Sequence, residues 1–254
     1  MALRPLGDTG VRVSLLGLGT VKFGRNTGLK YPHSFVLPTD AEIRHLLAEA
    51  HELGVNLLDT APAYGTSEAR IGALLPGQRD DWVLSTKVGE IHEHGTSRFD
   101  FSAEHTRASV ERSLEHLRTD RLDIVLVHSH GDDMAIIEHS DCIETLLRMK
   151  DEGLLRCVGF SGKTLAGGLA ALRSCDVVML TLSPSARAEE AVVAAAARNG
   201  RGVLVKKALE SGHLDAAARA RHFAWLRTLP GIASVVVGTL DPRHLRENAR
   251  LLDF

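Results

Sequence analysis

Residues 39–65, TDAEIRHLLAEAHELGVNLLDTAPAYG, place a helix, its stop signal, a strand and a polar loop in direct succession. Thr39 and Glu42 have the spacing of a capping box. Behind them Ile43, Leu46, Leu47, Ala50 and Leu53 recur with helical period and mark one buried face. Gly54 ends the stripe, and Val55–Leu58 is a short apolar run that finishes on a charge, Asp59. A helix delivered straight into a buried strand is half of a parallel crossover unit, so the fold turns on how often the unit repeats.

It repeats through the whole chain. Apolar runs at Leu15–Leu18, Val55–Leu58, Val83–Thr86, Ile124–Val127, Cys157–Phe160, Val177–Leu180, Val203–Val205 and Ser234–Val237 read as strands. Amphipathic stretches lie between them, as at Val110–Leu117, introduced by Ser102 and Glu104, and Ile143–Met149, stopped by Gly153. Eight strands alternating with about eight helices predict an α/β fold, a (β/α)8 TIM-type barrel, as a single domain over residues 1–254. An open doubly wound sheet is the rival. Its dinucleotide fingerprint would run from strand directly into a long helix, which GLGTVKFG does not do. The segments Lys22–Pro38, Gly89–Phe101 and Ser129–Ser140 read as the long loops.

With 44% hydrophobic and 24% charged residues the chain has the composition of an ordinary globular protein. A formal charge of −2 gives no general attraction to nucleic acid or to an anionic membrane, so any phosphate site must be local. No run of eighteen apolar residues suggests a membrane span. Cys142, Cys157 and Cys175 lack the spacing of a zinc knuckle or a redox pair and read as reduced thiols of a cytoplasmic protein.

Barrel enzymes carry their chemistry at the C-terminal ends of the strands. The polar residues that end apolar runs here are Asp59, Lys87, His128 and Ser161, with Tyr64 in the loop after Asp59. Reduction of a carbonyl needs a proton donor at the oxygen. A phenol, with a reference pKa of about 10, is a weak acid. An ammonium roughly 4 Å away in a partly dry site offers on the order of 4 kcal/mol, or about three units at most. Lys87 could supply that charge, Asp59 would keep Lys87 protonated, and His128 could donate or accept at the same oxygen.

These residues, in NLLDTAPAYG, LSTKVG and LDIVLVHSH, together with the N-terminal LGDTGVRVSLLGLGT, resemble those of the aldo-keto reductase family over essentially the whole chain. The resemblance implies a barrel, NADPH, and an Asp-Tyr-Lys-His tetrad that falls on Asp59, Tyr64, Lys87 and His128. It places Gly19 and Thr20 at the cofactor, Ser161 and Gly162 at the nicotinamide amide, and Gly238, Thr239, Arg243, His244, Glu247 and Asn248 of GTLDPRHLREN along the adenosine half. Departures are equally specific. Gly162 stands where the family has asparagine, Lys206 where it places an aromatic ring against the nicotinamide, and Met179 where glutamine is common. Gly238 and His244 replace the usual lysine and arginine at the 2′-phosphate, so NADH is allowed beside NADPH. Lys206 is expected to turn outward or to pair with a nearby acid, leaving Leu182, Ser183 or a loop to cover the ring.

A small carbonyl compound is the expected partner. No pattern indicates nucleic acid or membrane, and nothing in the sequence sets an oligomeric state. His92, His94, His128, His130, Asp132 and Asp133 share loops of one barrel face, but no HExxH or tight Cys/His set accompanies them, so no metal is expected. Two further functions compete: an aldolase or isomerase with Lys87 as a Schiff-base amine, and a catalytically weak or silent cofactor-sensing subunit. The end of the chain at Phe254 suggests an open substrate mouth.

Overall fold

The computed structural model describes residues 1–29, 31, 34–77 and 79–253. Phe254 and three members of the Lys22–Pro38 loop, Lys30, Pro32 and His33, lie outside the described residues. Eight parallel strands close a barrel. They are β1 (Leu16–Gly19), β2 (Leu57–Asp59), β3 (Val83–Val88), β4 (Leu122–His128), β5 (Leu155–Ser161), β6 (Val177–Thr181), β7 (Gly202–Lys206) and β8 (Ile232–Val237). β8 pairs back onto β1, Val235 against Leu16, which closes the ring.

All eight expected runs are strands, and several extend further than their apolar residues. β2, β4, β5 and β7 end on Asp59, His128, Ser161 and Lys206, and Lys87 is the next-to-last residue of β3. The candidate groups are therefore built into the last ladder rungs rather than set just beyond them. A buried strand tolerates a polar residue in its final position when the lumen there holds partners for it.

Strand alternation sorts the side chains into two cores. The outer one lies between barrel and helices and gathers Leu16, Leu58, Leu84, Val125, Val158, Val178 and Val203 with helix residues such as Ile43, Leu46 and Met149. The inner one fills the lumen with Leu57, Val83, Ile124, Leu126, Cys157, Val177, Met179 and Leu204. Two residues further along the same strands, in the same parity, come Asp59, Ser85, His128, Gly159, Thr181 and Lys206. Apolar below and polar above, the lumen changes character within one rung.

An N-terminal hairpin, Leu3–Pro5 with Arg12–Ser14, was not anticipated from the sequence. It lowers Leu6, Val11 and Val13 into the inner core and so plugs the end of the barrel opposite the polar layer. Asn56 fastens it, accepting from Ser14 N at 2.7 Å and donating to Arg12 O at 3.0 Å. Gly7, at φ +57°, approaches the backbone of Gly200 so closely that an added Cβ would lie 2.4 Å from its carbonyl oxygen.

The helices follow their signals. Asp40–Glu52 starts at a complete Thr39/Glu42 capping box, Ala103–Leu117 at Ser102, and Cys142–Asp151 runs to Gly153 at φ +82°. Two expected loops contain regular structure. Gly89–Phe101 holds a hairpin, Glu90–Glu93 with Thr96–Phe99, turning on His94 and Gly95, both at positive φ as a tight two-residue turn requires. Ser129–Ser140 holds the helix Asp133–His139, started by Asp132 accepting from Ala135 N.

Leu126 is fully buried in the inner core, and Leu126→Ala should lower unfolding free energy by about 2–5 kcal/mol, read from the denaturant midpoint.

Candidate active site

Lys87 projects from β3 into the polar layer and is almost wholly buried. Its Nζ donates to Asp59 Oδ1 at 2.8 Å, Asp59 Oδ2 at 2.7 Å and the Thr60 carbonyl at 2.8 Å. All three ammonium protons are thus used. Burial pulls the Lys87 pKa down, but the Asp59 carboxylate and Tyr64 together hold the amine above its ordinary value. Ser85 Oγ also donates to Asp59, at 3.1 Å. Removing either partner of such a pair strands a buried charge, typically at about 3–5 kcal/mol.

Tyr64 closes a single 3-10 turn, Pro62–Tyr64, directly after β2. Its seat depends on two glycines: a Cβ on Gly24 would meet Tyr64 O at 2.4 Å, and one on Gly65 would meet Gly24 O at 2.3 Å. Lys87 Nζ lies 4.9 Å from the centre of the phenol ring. Although part of the side chain reaches solvent, burial raises the Tyr64 pKa; Lys87 pulls it down, and Asp59 and Glu90 push it up. The expectation that Lys87 would dominate is therefore corrected: loss of hydration outweighs the ammonium, and Tyr64 is a phenol that keeps its proton.

His128 ends β4 with Nδ1 2.9 Å from Glu90 Oε2. Burial lowers its pKa, with Glu90 pulling the other way, so the ring is neutral at physiological pH. Glu90 itself is held at about 2: burial would raise it, but the His128 contact, a hydrogen bond from Ser97 and the charge of Arg25 prevail. Glu90 was missed from the sequence because it opens the hairpin read as a loop. The alternation of E-I-H-E around HG was the available signal.

Lys206 does not turn outward and meets no acid. From the end of β7 its Nζ reaches over β6 to donate to Ser161 Oγ and to Gly162 O, each at 2.7 Å. Among the described residues no carboxylate lies within ion-pair distance of it. Burial is the main cause that lowers its pKa, to about 7; Lys207 and Lys87 add to the effect, while Glu189 and Asp133 oppose it. The Leu182 carbonyl lies 3.2 Å from His222 Nε2, and the Ser183 backbone bridges to Ala186. Gly162 has a local reason: a Cβ there would stand 3.1 Å from Asp133 Oδ2, which accepts from Lys163 N, Thr164 N and Thr164 Oγ1. Met179 belongs to the inner core, one rung below.

Of the other candidates, Thr20 is buried with its hydroxyl donating to Asp59 O at 3.0 Å, beside Gly19 at the end of β1. Gly238 follows β8, and a Cβ there would lie 3.3 Å from the Tyr31 hydroxyl. Thr239 Oγ1 accepts from Asp241 N, while the exposed Arg243 folds onto the Asp241 carboxylate at 2.8 Å. His244 and Glu247 are exposed, and Glu247 pairs with Arg219 at 2.8 Å. Asn248 is buried, and its Oδ1 has no hydrogen-bond partner.

The loop histidines and acids serve the fold. His92 Nδ1 contacts Ser97 Oγ at 3.0 Å, His130 packs edge-on against Phe99 and Phe101, and Asp133 ties its helix to the turn after β5. Among the described residues no group of three or more His, Cys, Asp or Glu is arranged to hold a metal ion. Cys142, Cys157 and Cys175 are free and buried, their thiols pushed up by burial to about 12, 11 and 12. No helix among the described residues is long and apolar enough to cross a membrane.

An eight-stranded parallel barrel thus gathers a phenol, a locked ammonium and an imidazole at its C-terminal rim. The profile of the Aldo/keto reductase family matches residues 15–223, and the chain belongs to that family. A structure from Pseudomonas aeruginosa designated an aldo-keto reductase superimposes with a TM-score of 0.91 at 50% identity, over 98% of this chain and 94% of the other. The holo form of an aldo-keto reductase from Bacillus halodurans gives 0.85 at 24% identity over 100% and 91%, a likeness of fold. L-galactose dehydrogenase of Arabidopsis thaliana is 36% identical over 170 residues, 64% of this chain and 49% of its own. The NADH-specific methylglyoxal reductase of Escherichia coli K12 is 32% identical over 168 residues, 61% and 50%. The matched segment thus spans about half the length of these two relatives.

Two outcomes follow for Glu90→Gln. Losing the carboxylate that favours the imidazolium should move the His128 titration to still lower pH, measured by NMR of the ring nitrogens. Because Glu90 is depressed from 4.5 to about 2, its stabilising share is complete above about 4.5 and lost as pH falls towards 2. The variant should accordingly show a shallower loss of stability through that window.

Proposed function

We propose that this protein reduces aldehydes or ketones to alcohols with a reduced nicotinamide dinucleotide, NADPH or NADH, and that Tyr64 delivers the proton. The observation that carries the reading is the ring of Tyr64, its centre 4.9 Å from an ammonium that Asp59 locks in place. A donor must hold its proton until the carbonyl oxygen gains charge, and burial ensures that. The phenolate left behind then faces Lys87, whose positive charge Asp59 maintains. His128, with Nδ1 2.9 Å from Glu90 Oε2, offers an imidazole at the same rim, which suits it to orienting the substrate or product hydroxyl.

The residues fit a dinucleotide at its adenosine end. The unpartnered Asn248 Oδ1 is a buried acceptor awaiting a donor, and Gly19 and Gly238 lie against one another at the barrel rim. Arg243 at the start of the helix Pro242–Asp253 would meet a 2′-phosphate only by leaving Asp241, a cost that NADH avoids. At the other end Ser161 and Lys206 would hold the carboxamide side. When bound, the reduced nicotinamide supplies the hydride. The name of the Escherichia coli relative favours small α-oxo aldehydes as substrates and NADH as carrier.

A second reading is a weak or silent cofactor-sensing subunit, favoured by one contact: the Ser161 hydroxyl assigned to the nicotinamide amide already accepts from Lys206. Turnover decides between them. With NADPH and NADH against a panel of aldehydes including methylglyoxal, Tyr64→Phe should lower kcat by at least about 100-fold. Full activity in that variant would overturn the assignment of Tyr64, and cofactor binding without any turnover in the natural sequence would favour the silent subunit. Asn248→Ala should raise the cofactor KM with little change in kcat.

A further inference from the structure

The rim of this barrel holds two lysines in opposite states. Lys87 is held as an ammonium against Asp59 and Thr60, so its lone pair is unavailable and the Schiff-base role considered for it is not open. Lys206 donates only to a neutral hydroxyl and a neutral carbonyl, remains partly open to solvent, and faces the same polar layer as Tyr64 and His128. We infer that Lys206 is a carbonyl-capturing amine, which holds small aldehydes or ketones as a reversible imine without any nicotinamide cofactor.

The step is redox-neutral. The Lys206 lone pair adds to the carbonyl carbon, forming a C–N bond as the oxygen takes up a proton; the carbinolamine then expels water and leaves a C=N bond. Ser161 Oγ, 2.7 Å from Nζ, is placed to relay the protons. The nucleophile is the unprotonated amine, and burial together with the charges of Lys207 and Lys87, against Glu189 and Asp133, brings Lys206 to about 7. At pH 7 about half of such an amine is free, against roughly four in ten thousand for a lysine at its reference value of about 10.4. The free-amine fraction is then about a thousandfold that of a surface lysine. A protonated imine also acidifies the neighbouring C–H, giving substrates with an α-hydrogen a route to exchange it.

The test uses the full chain at pH 7 with propanal and sodium cyanoborohydride, no nicotinamide present, read by intact mass and peptide mapping. One reduced adduct on Lys206 is expected. Lys206→Met and Lys206→Arg, each checked for fold by circular dichroism, should lose it, the arginine variant keeping the charge. The adduct on the natural chain should form with a midpoint near pH 7. Labelling confined to the N-terminal amine or surface lysines, or undiminished in Lys206→Arg, overturns the inference. Tyr64→Phe should retain the adduct while losing nicotinamide-dependent reduction. Failure of capture and failure of the reductase reading are thereby separate results.

Discussion

A parallel strand has one choice per residue, lumen or helix layer, and in this barrel that choice organises everything else. The lumen is dry and apolar at the level of Leu57, Ile124, Leu126, Met179 and Leu204. One rung higher the same parity delivers Asp59, His128, Thr181 and Lys206 into a space where water is scarce and charges act strongly on one another. The apolar floor is what makes the polar layer reactive. It raises the phenol, depresses the imidazole and separates two lysines whose intrinsic chemistry is identical.

That separation shows how little is needed to reassign a side chain. Asp59 is directly bonded to Lys87 and, together with Tyr64, counters burial, so that amine stays charged. Lys206 receives no such partner, and burial prevails. One carboxylate contact decides which lysine is an electrostatic fixture and which is a nucleophile. A second carboxylate, Glu90, lies 2.9 Å from His128 Nδ1 and opposes the effect of burial on that ring.

The repeating helix-strand units made the barrel legible, because the apolar runs and the caps at Thr39 and Ser102 are local signals. Asp59, Lys87 and His128 stood out for the same reason, since they close those runs, whereas Tyr64 lies in the turn after Asp59. Glu90 was not, since its partner is set by a hairpin whose turn, His94-Gly95, is a weak signature beside Asn-Gly. Nor was the direction of Lys206. The residue lies in the lumen parity of β7, but its orientation depends on acceptors two strands away, and no local pattern announces Ser161 Oγ and Gly162 O. The helix Asp133–His139 escaped for want of length, being held by Asp133 contacts that only the closed barrel supplies.

The hairpin Glu90–Phe99 carries a further meaning. Asp59, Lys87 and His128 are carried by the barrel strands themselves. Glu90 is outside the wall, on a two-stranded excursion pinned by Arg25 and Ser97. The proton inventory of the site is consequently modular. An exchanged hairpin could retune the imidazole, and with it the working pH of the site, while leaving every barrel strand as it is.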